Sequence, residues 1–432
     1  MRIGVVSQWY PPEPIFIAGE LATELAARGH EVRVLTGFPN YPSGRIYEGF
    51  RQRWRDEHTE GRLTVRRVPL YPSRDASVLR RVATFVSFGL TSAIVARRYL
   101  RDVDVVYVYH PPPTAFAGPA LLRLLRRTPV LLHVQDMWPE SVTASGMAPG
   151  GVSGRVVHRV LSGVMRRLYR SAAAVVVIAP SMTDLVVQRG ADPDRVRVVW
   201  NWTDERLFRP VPATPAARSA LGHRGRPIVM YAGNMGPFQR VETAVRAAAS
   251  VDPLIDLVFV GSGPDEGRAR ELCRTLGATN VRFLDRRPPA EMADLYAAAD
   301  FQLVTLRALP ALRGTVPSKL QGAMACGVPV IVSADGDAAR LVEAAGAGLT
   351  CPAEDWRALA DRFRAAVDIP PAERVRIGER ARRAYLERMS LRVGVDQIED
   401  VVTGICPGRP PAPRNGIKDH AMGLPTHNGM DR

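Results

Sequence analysis

The first half of the chain alternates short apolar runs with longer segments in which apolar residues recur every three or four positions. The short runs predict buried strands, and the longer segments have the spacing of amphipathic helices. Prolines and glycines separate the two kinds of segment. We predict helices ending at Arg28 and near 115–127, and strands at 2–6, 31–36, 103–108, 129–134, 173–179 and 195–200.

A second alternating series follows in the other half of the chain. Its strands are predicted near 227–232, 256–260, 280–284, 300–305 and 328–332. Strand–helix alternation is typical of parallel, doubly wound sheets. The predicted fold class is therefore α/β, with two tandem Rossmann-like domains that face each other across a cleft, and the cleft is the expected binding site.

The composition along the chain predicts the domain boundaries. We expect an N-terminal domain over 1–207, a proline-containing linker over 208–225 and a second domain over 226–380. A helical segment at 381–405 is expected to return to the N-terminal domain. Residues 406–432 are rich in proline and glycine and are expected to form a disordered tail.

The overall composition is that of an ordinary soluble protein. The 432 residues are 46% hydrophobic and 23% charged, which excludes collagen-like, coiled-coil and disordered classes. The four cysteines form no Cys-x-x-Cys pair, which argues against a zinc module or a disulfide framework and fits a reducing cytosol. We find no signal-peptide pattern and no apolar run long enough to span a membrane, so we expect a cytoplasmic protein.

The formal net charge of +15 raises the question of an anionic partner. The arginines are spread along the chain without interleaved aromatics or a nucleic-acid-binding signature, so we expect no nucleic-acid partner. Anionic lipid head groups or nucleotide diphosphates also suit such a surface, and a biased genome composition is an alternative explanation. Only Lys319 and Lys418 are lysines, so the body of the chain uses arginine everywhere except at Lys319.

Glycine-rich turns follow two of the predicted strands of the second domain. Gly233 and Asn234 follow strand 227–232, and Gly261 and Gly263 follow strand 256–260. Glycines at these positions let the backbone approach a ligand and expose amide groups to phosphate oxygens. The alternative is that they are ordinary turns.

A third candidate element lies at 316–331. Pro317 and Ser318 mark the start of a helix that ends at Gly327, and Lys319 lies in its first turn. A helix N-terminus stabilises an anion, and a lysine beside it would add a full positive charge. The pattern predicts a phosphate site at Ser318 and Lys319, the alternative being a solvated lysine at a helix start.

Several segments together resemble the retaining family 4 glycosyltransferases of the GT-B fold. The resemblance extends from residue 1 to about 400, and no single motif carries it. It is closest to the branch that makes bacterial surface polysaccharides. The family segments are 29–32, 261–264, 295–300 and 317–330, and those of the branch are 36–42 (Thr-Gly-Phe-Pro-Asn-Tyr-Pro), 136–140 (Asp-Met-Trp-Pro-Glu) and 201–204 (Asn-Trp-Thr-Asp).

The resemblance implies transfer of a sugar from a nucleoside diphosphate sugar to a hydroxyl, with anomeric retention and with no metal or other cofactor. The expected donor is a UDP-sugar, and the expected acceptor is a glycan, a lipid-linked sugar or a small natural product. The first domain would then hold the acceptor and the second the donor. The residues so implied are Asp136 and Lys319 as catalytic, Arg240 at the donor phosphates, Phe283 and Leu284 at the base, and Glu20 and Trp138 on the acceptor side.

The sequence departs from the family in one respect. Two glutamates eight positions apart are usual there, and alignment places Gly314 and Gly322 at these positions. In this family the leaving phosphate is held to take the acceptor proton, so a missing carboxylate does not exclude activity. For Asp136 and Glu20 the alternatives are a turn residue and a first-turn helix charge.

Three other functions remain open from the sequence. A nucleotide-sugar epimerase would share the fold, but this cleft offers few carboxylates and histidines. A non-catalytic nucleotide-sugar binder would account for the missing glutamates. A nucleic-acid binder would show affinity that falls steeply with salt.

An uncharged segment at 82–96 lies between arginines. Fifteen residues are too few to span a bilayer, but they could form an interfacial helix whose flanking arginines contact anionic head groups. The basic segment 155–170 could extend this surface. The enzyme would then be peripheral on the inner face of the membrane, whereas a buried helix of the domain explains the same pattern. The flanking arginines are Arg80, Arg81, Arg97, Arg98 and Arg101.

Overall fold

The computed structural model describes residues 1–73, 77–140 and 151–406, with the backbone alone for 151–153. The tail predicted to be disordered lies outside the described residues from 407 onward. Within the described residues the chain builds two sheets, each covered by helices on both faces. This arrangement is the predicted α/β class.

The N-terminal sheet has eight strands in the order β3-β4-β2-β1-β5-β6-β7-β8. All neighbours are parallel except β3, which runs antiparallel to β4. The β3–β4 hairpin was not predicted, because the Asp-Glu-His-Thr-Glu sequence of β3 is largely exposed and has no apolar face. The strands are β1 (Arg2–Ser7), β2 (Glu31–Gly37), β3 (Asp56–Glu60), β4 (Leu63–Val68), β5 (Val105–His110), β6 (Val130–Val134), β7 (Ala174–Val177) and β8 (Val196–Val198).

The C-terminal sheet has six parallel strands in the order β11-β10-β9-β12-β13-β14. Its central strands are fully buried runs of β-branched and aromatic residues, as expected for a sheet with helices on both faces. Strand β14 was not predicted, because its Gly-Leu-Thr-Cys sequence is short and half-buried. The strands are β9 (Ile228–Ala232), β10 (Asp256–Val260), β11 (Val281–Leu284), β12 (Phe301–Thr305), β13 (Val330–Ser333) and β14 (Gly348–Cys351).

Helices connect these strands and bury their apolar faces against the sheets. Those of the first half are Ile17–Ala27, Val78–Tyr99, Ala117–Arg126, Gly151–Ser171 and Ser181–Gln188. Those of the second half are Pro215–Ala220, Val241–Ala249, Glu266–Leu276, Met292–Ala298, Ser318–Cys326, Asp337–Ala345, Trp356–Asp368, Pro371–Arg388 and Leu391–Gly404.

Part of the predicted linker 208–225 is a helix. Thr214 caps this Pro215–Ala220 helix by accepting a hydrogen bond from the amide of Ala217. Ala217 and Leu221 belong to the apolar core of the C-terminal sheet. This part of the segment is therefore packed into the second domain.

The helical segment predicted as continuous at 381–405 is divided between two helices. The second begins after Ser390, whose hydroxyl accepts a hydrogen bond from the amide of Val393. It packs against the Ile17–Ala27 helix of the N-terminal domain, where Ile398 and Val402 join the same apolar core as Leu21. The chain thus crosses back to the first domain near its end.

The Val78–Tyr99 helix is longer than the uncharged segment predicted to be too short to span a membrane. By length and composition it could cross one, and among the described residues it is the one helix for which this holds. One of its faces packs closely on the domain, because a Cβ on Gly118 of the neighbouring helix would lie 2.9 Å from the Cβ of Ala96. We therefore interpret it as a surface helix of the first domain, packed on one side and open on the other.

Candidate active site

A cleft of about 870 Å³ lies between the carboxyl ends of the two sheets. Loops after β1, β2, β5 and β6 form one wall, and the chain from the end of β12 to the start of the Ser318–Cys326 helix forms much of the other. This position agrees with the predicted location of the site. Its polar and aromatic lining residues include Gln8, Trp9, Asn40, Tyr41, Arg81, Phe85, Gln135, Asp136, Trp138, Gln239 and Ser318.

Lys319 lies beside the cleft, in the first turn of the Ser318–Cys326 helix. Its Nζ is buried, has no hydrogen-bond partner among the described residues, and lies 3.4 Å from the centre of the Tyr231 ring. Burial lowers the pKa of Lys319 to about 7. A buried cation without a counter-ion, at a helix N-terminus, is a site prepared for an anion.

The glycine turns predicted to approach phosphate are next to this lysine, but they also pack on each other. Gly233 is next to Lys319, where a Cβ would lie 3.6 Å from Nζ. A Cβ on Gly261 would overlap the carbonyl of Gly233, and one on Gly263 would overlap the carbonyl of Met235. Close packing of the two loops therefore already requires Gly261 and Gly263, whatever ligand is bound.

Asn234 contributes to the same turn through its backbone. Its carbonyl accepts a hydrogen bond of 2.7 Å from the Tyr231 hydroxyl, which fixes the ring under Lys319. The Asn234 side chain is exposed. Tyr231 therefore connects the turn with the cation.

Of the predicted donor residues Ser318 alone lines the described cavity, and three of the others are held by contacts elsewhere. Arg240 forms an ion pair of 2.5 Å with Glu354. Phe283 stacks on Phe259 with ring centroids 4.9 Å apart, and Leu284 packs against the core of the domain. None of the three predicted residues lines the cavity that holds Ser318.

Asp136 and Trp138 lie in the N-terminal wall, directly after β6. Asp136 is open to the cleft, and the surrounding walls raise its pKa because they remove water from the carboxylate. Trp138 is fixed by its carbonyl, which accepts a hydrogen bond of 2.8 Å from Arg189. Both residues are thus placed where the sequence predicted them.

Glu20, predicted on the acceptor side, does not line the cleft. Its carboxylate accepts a hydrogen bond of 2.7 Å from the indole of Trp202, and Arg206 lies 3.6 Å away. Burial is the main cause that raises the pKa of Glu20 to about 6. The structure corrects the prediction, since Glu20 holds the segment that leads from the first domain to the second.

The two glycines at the glutamate positions of the family have filled surroundings. A Cβ on Gly314 would lie 2.8 Å from Cγ of Met182, across the cleft. A Cβ on Gly322 would lie 3.0 Å from the Phe208 ring and 3.4 Å from the Tyr296 hydroxyl. Neither position could take a glutamate without movement of its neighbours, so this site is built without that pair.

Sequence reasoning missed several residues of the N-terminal wall. Gln8 is completely buried in the lining, and neither polar atom of its side chain has a hydrogen-bond partner among the described residues. Tyr41, Trp9, Phe85 and Trp138 form a row with successive ring centroids 5.7, 6.4 and 6.2 Å apart. Trp9 lies two residues after the end of β1 and Tyr41 four residues after the end of β2, and this position in the loops that follow the strands could have identified them.

The described residues contain no group of three or more His, Cys, Asp or Glu side chains that could hold a metal ion. The charged side chains in the described cleft lining are Arg81 and Asp136. The site thus combines amides, hydroxyls and aromatic rings with one carboxylate and one guanidinium. Such a lining suits a polar, ring-shaped ligand.

Comparisons with known proteins agree with this geometry. Residues 17–202 match the family described as "Glycosyl transferase 4-like domain", and residues 214–384 match "Glycosyl transferases group 1". The chain is 30% identical over 349 residues to the colanic acid biosynthesis glycosyl transferase WcaI of Escherichia coli, covering 78% of this chain and 84% of that protein.

Two solved structures share the fold. Sucrose-phosphate synthase of Thermosynechococcus elongatus is 20% identical with a TM-score of 0.70, covering 92% of this chain and 97% of its own. The HepE protein of Anabaena, solved with UDP-glucose, is 19% identical with a TM-score of 0.66, covering 94% and 100%. The chain is an enzyme that belongs to the family 4 glycosyltransferases of the GT-B fold, in the branch that serves bacterial surface-polysaccharide biosynthesis.

Proposed function

We propose that this glycosyltransferase moves a hexosyl group from a UDP-sugar to a hydroxyl of a lipid-linked glycan acceptor. The transfer proceeds with anomeric retention and without a metal ion. The observation that carries the proposal is Lys319, a buried amine at a helix N-terminus beside the cleft, for which the described part of the chain provides no counter-ion. The complex of Anabaena HepE with UDP-glucose supports the choice of nucleotide.

Departure of the nucleoside diphosphate is the step that the donor side must stabilise. As the bond between the anomeric carbon and the diphosphate oxygen breaks, negative charge grows on the diphosphate. The Lys319 ammonium and the amides of Ser318 and Lys319 at the helix start would stabilise this charge. Because the cation is already fixed in a site of low polarity, it stabilises the new charge without any rearrangement of the surrounding groups during the reaction.

The acceptor hydroxyl attacks from the face that the diphosphate leaves. Its oxygen forms the new bond to the anomeric carbon, and its proton passes to an oxygen of the departing phosphate. No carboxylate base is needed, which accords with the filled surroundings of Gly314 and Gly322. Asp136, open to the cleft from the N-terminal wall, would accept hydrogen bonds from sugar hydroxyls and orient them.

The alternative functions have less support. An epimerase of this fold would need acid and base groups in the cleft, and the described lining offers Asp136 as its one carboxylate. A non-catalytic binder is disfavoured by the relative named as a glycosyl transferase, which aligns with 78% of this chain.

One face of the N-terminal domain supports a membrane-bound acceptor. The helices Val78–Tyr99, Ala117–Arg126 and Gly151–Ser171 pack their inner sides into one core. Their sequences contain no aspartate or glutamate. Their outer sides expose Leu79, Val82, Val86, Leu90, Ile94, Leu124, Leu125, Val156, Val160 and Val164.

Arginines accompany this apolar surface on all three helices. Apolar side chains surrounded by basic ones, without acidic residues, fit the interface of an anionic bilayer. The protein would then act at the cytoplasmic face of the membrane as a peripheral enzyme. The arginines are Arg80, Arg81, Arg97, Arg98, Arg123, Arg126, Arg155, Arg159, Arg166, Arg167 and Arg170.

The donor proposal is tested by thermal unfolding with UDP, GDP, dTDP and ADP. A ligand at 100 times its dissociation constant adds about 2.7 kcal/mol of stability. We expect UDP to raise the unfolding temperature of the wild type and of Arg240→Ala, whose side chain pairs with Glu354 outside the cleft. Lys319→Ala should lose this response. No response to any nucleotide, or an equal response in Lys319→Ala, would contradict the proposal.

A further inference from the structure

Arg81 is a charged residue of the cleft that the proposed donor chemistry does not use. It lies in the first turns of the Val78–Tyr99 helix and lines the cavity. Its Nε is buried without a hydrogen-bond partner, and no described carboxylate forms an ion pair with it. A guanidinium that faces a cavity without a counter-ion is suited to bind an anion, and its planar donor pattern matches phosphate oxygens.

The aromatic row connects this guanidinium with the reaction centre. Phe85 lies one helical turn after Arg81 and also lines the cleft. The Phe85 ring lies 6.2 Å from that of Trp138, which is two residues beyond Asp136. A pyranose ring packs its C–H face on aromatic rings, so a sugar on this row would lie in the cavity that Arg81 and Asp136 also line.

The membrane surface proposed above begins at the same helical turn. Leu79 lies two residues before Arg81 and Val82 directly after it, and both are exposed, Leu79 to 81%. A group bound at Arg81 would therefore lie between the cleft and the apolar side of the helix. This is the position expected for the link between a sugar in the cleft and a lipid in the bilayer.

We propose that Arg81 is a second anion site of the cleft, which binds a phosphate group of the acceptor. The inference rests on the proposed function, in which Lys319 takes the diphosphate of the donor. Each domain then supplies one cation, Lys319 for the leaving group and Arg81 for the acceptor. The acceptor sugar lies between them on Trp9, Phe85 and Trp138.

A phosphate on the acceptor has two sources, a lipid diphosphate and a soluble sugar phosphate. Calorimetric titration distinguishes them when the donor site is filled with saturating UDP. The lipid arm compares farnesyl diphosphate with farnesol, and the soluble arm compares glucose 1-phosphate with methyl glucoside. Each pair differs in phosphate, and neither arm requires knowledge of the transferred sugar.

We expect one phosphorylated probe to bind at least about tenfold more tightly than its neutral counterpart, because charge-assisted hydrogen bonds form only with the phosphate. Arg81→Gln should abolish this preference, and Arg81→Lys should keep part of it. Arg376→Gln, which removes one exposed arginine from the Pro371–Arg388 helix of the second domain, should leave it unchanged. The arm that shows the preference identifies the source.

Equal binding of charged and neutral probes in both arms would overturn the inference, and so would a preference that survives in Arg81→Gln. A separate titration of each protein with UDP, before the donor site is filled, reports on the donor site and on folding. If the wild type does not bind UDP, the proposed function is contradicted. If it binds UDP but shows no preference for the phosphorylated probes, only the Arg81 site is contradicted.

Discussion

Lys319 is a residue whose charge depends on what lies next to it. Burial without a counter-ion lowers its pKa to about 7, and a bound diphosphate would raise that pKa again. Above pH 7 the free enzyme holds a neutral amine, so that binding must take up a proton. We predict that UDP affinity falls by up to about tenfold per pH unit above pH 7, measured by calorimetry in buffers of different ionisation enthalpy.

A fall of UDP affinity above pH 7 distinguishes the buried Lys319 from an exposed cation. An exposed lysine keeps its charge up to about pH 10, so binding at such a site would not change between pH 7 and 9. Arg240→Gln should retain the slope, because Arg240 pairs with Glu354 away from the cleft. A flat profile in the wild type would show that Lys319 is already charged before the nucleotide binds.

Individual site residues could be predicted from the sequence where they follow a strand. They could not be predicted where their environment depends on segments distant in the chain. Asp136 and Trp138 could be predicted because β6 ends directly before them. Among the described residues, nothing pairs with the amide of Gln8 or with Nε of Arg81, because the neighbouring segments supply no partner there. Such an absence of partners is a property of the assembled cleft and leaves no signal in the local pattern.

The Leu391–Gly404 helix is an element whose docking depends on one glycine. A Cβ on Gly394 would lie about 2.5 Å from atoms of the Trp202 ring, which is 1% exposed and bonded to Glu20. We predict that Gly394→Ala lowers the free energy of unfolding by about 1–3 kcal/mol, because the helix must move off the ring. Denaturant unfolding measures the change.

Gly404→Ala is the matched control on the same helix, since a Cβ there would have no neighbour within 4 Å. This substitution should leave the free energy of unfolding unchanged or raise it by up to about 1 kcal/mol, because alanine has a higher helix propensity than glycine. Equal effects of the two substitutions would mean that the helix does not pack on Trp202.

The Val78–Tyr99 helix is the element that carries the membrane proposal. Leu90 and Ile94 are 63% and 66% exposed, one turn apart on its outer side. We predict that Leu90→Ser with Ile94→Ser reduces co-sedimentation with phosphatidylglycerol vesicles at least about tenfold, because each side chain loses about 1.5–3 kcal/mol of burial. UDP-induced stabilisation should remain.

The control for this variant is Val375→Ser with Leu386→Ser. These two side chains are also exposed, but they lie on the Pro371–Arg388 helix of the second domain. The control should co-sediment like the wild type. Unchanged vesicle binding in the Leu90 and Ile94 variant would remove this helix from any membrane contact.

Elements were predictable where burial imposes a pattern on the sequence. The apolar runs of β1, β5 and β9 are buried on both sides and could be found directly. Strand β3 could not, since four of its five residues are exposed and polar. The break before Ser390 was missed because a serine cap within a helical pattern is recognised only from the hydrogen bond it accepts.

At the scale of the whole molecule, a small set of polar contacts joins the two domains beside the cleft. Gln321 donates a hydrogen bond of 2.9 Å to the carbonyl of Asn201. The Asp337 carboxylate accepts hydrogen bonds of 2.8 Å from both the amide and the hydroxyl of Ser181. Met182, the next residue, faces Gly314 across the cleft. These contacts fix the distance between the two walls of the site.

The hydrogen bonds between Ser181 and Asp337 join the starts of two helices, one from each domain. Ser181 begins a helix of the first domain, and Asp337, 3% exposed, begins a helix of the second. Since Asp337 takes both hydrogen bonds, Asp337→Ala should let the domains separate, with a larger radius of gyration in solution scattering and a severalfold weaker affinity for UDP. Ser181→Gly should have a smaller effect in the same direction, because the amide donor remains.

A double-mutant cycle should give a coupling of about 0.5–3 kcal/mol between the two positions. Additive effects, or identical scattering curves for the wild type and Asp337→Ala, would show that this contact does not hold the cleft together.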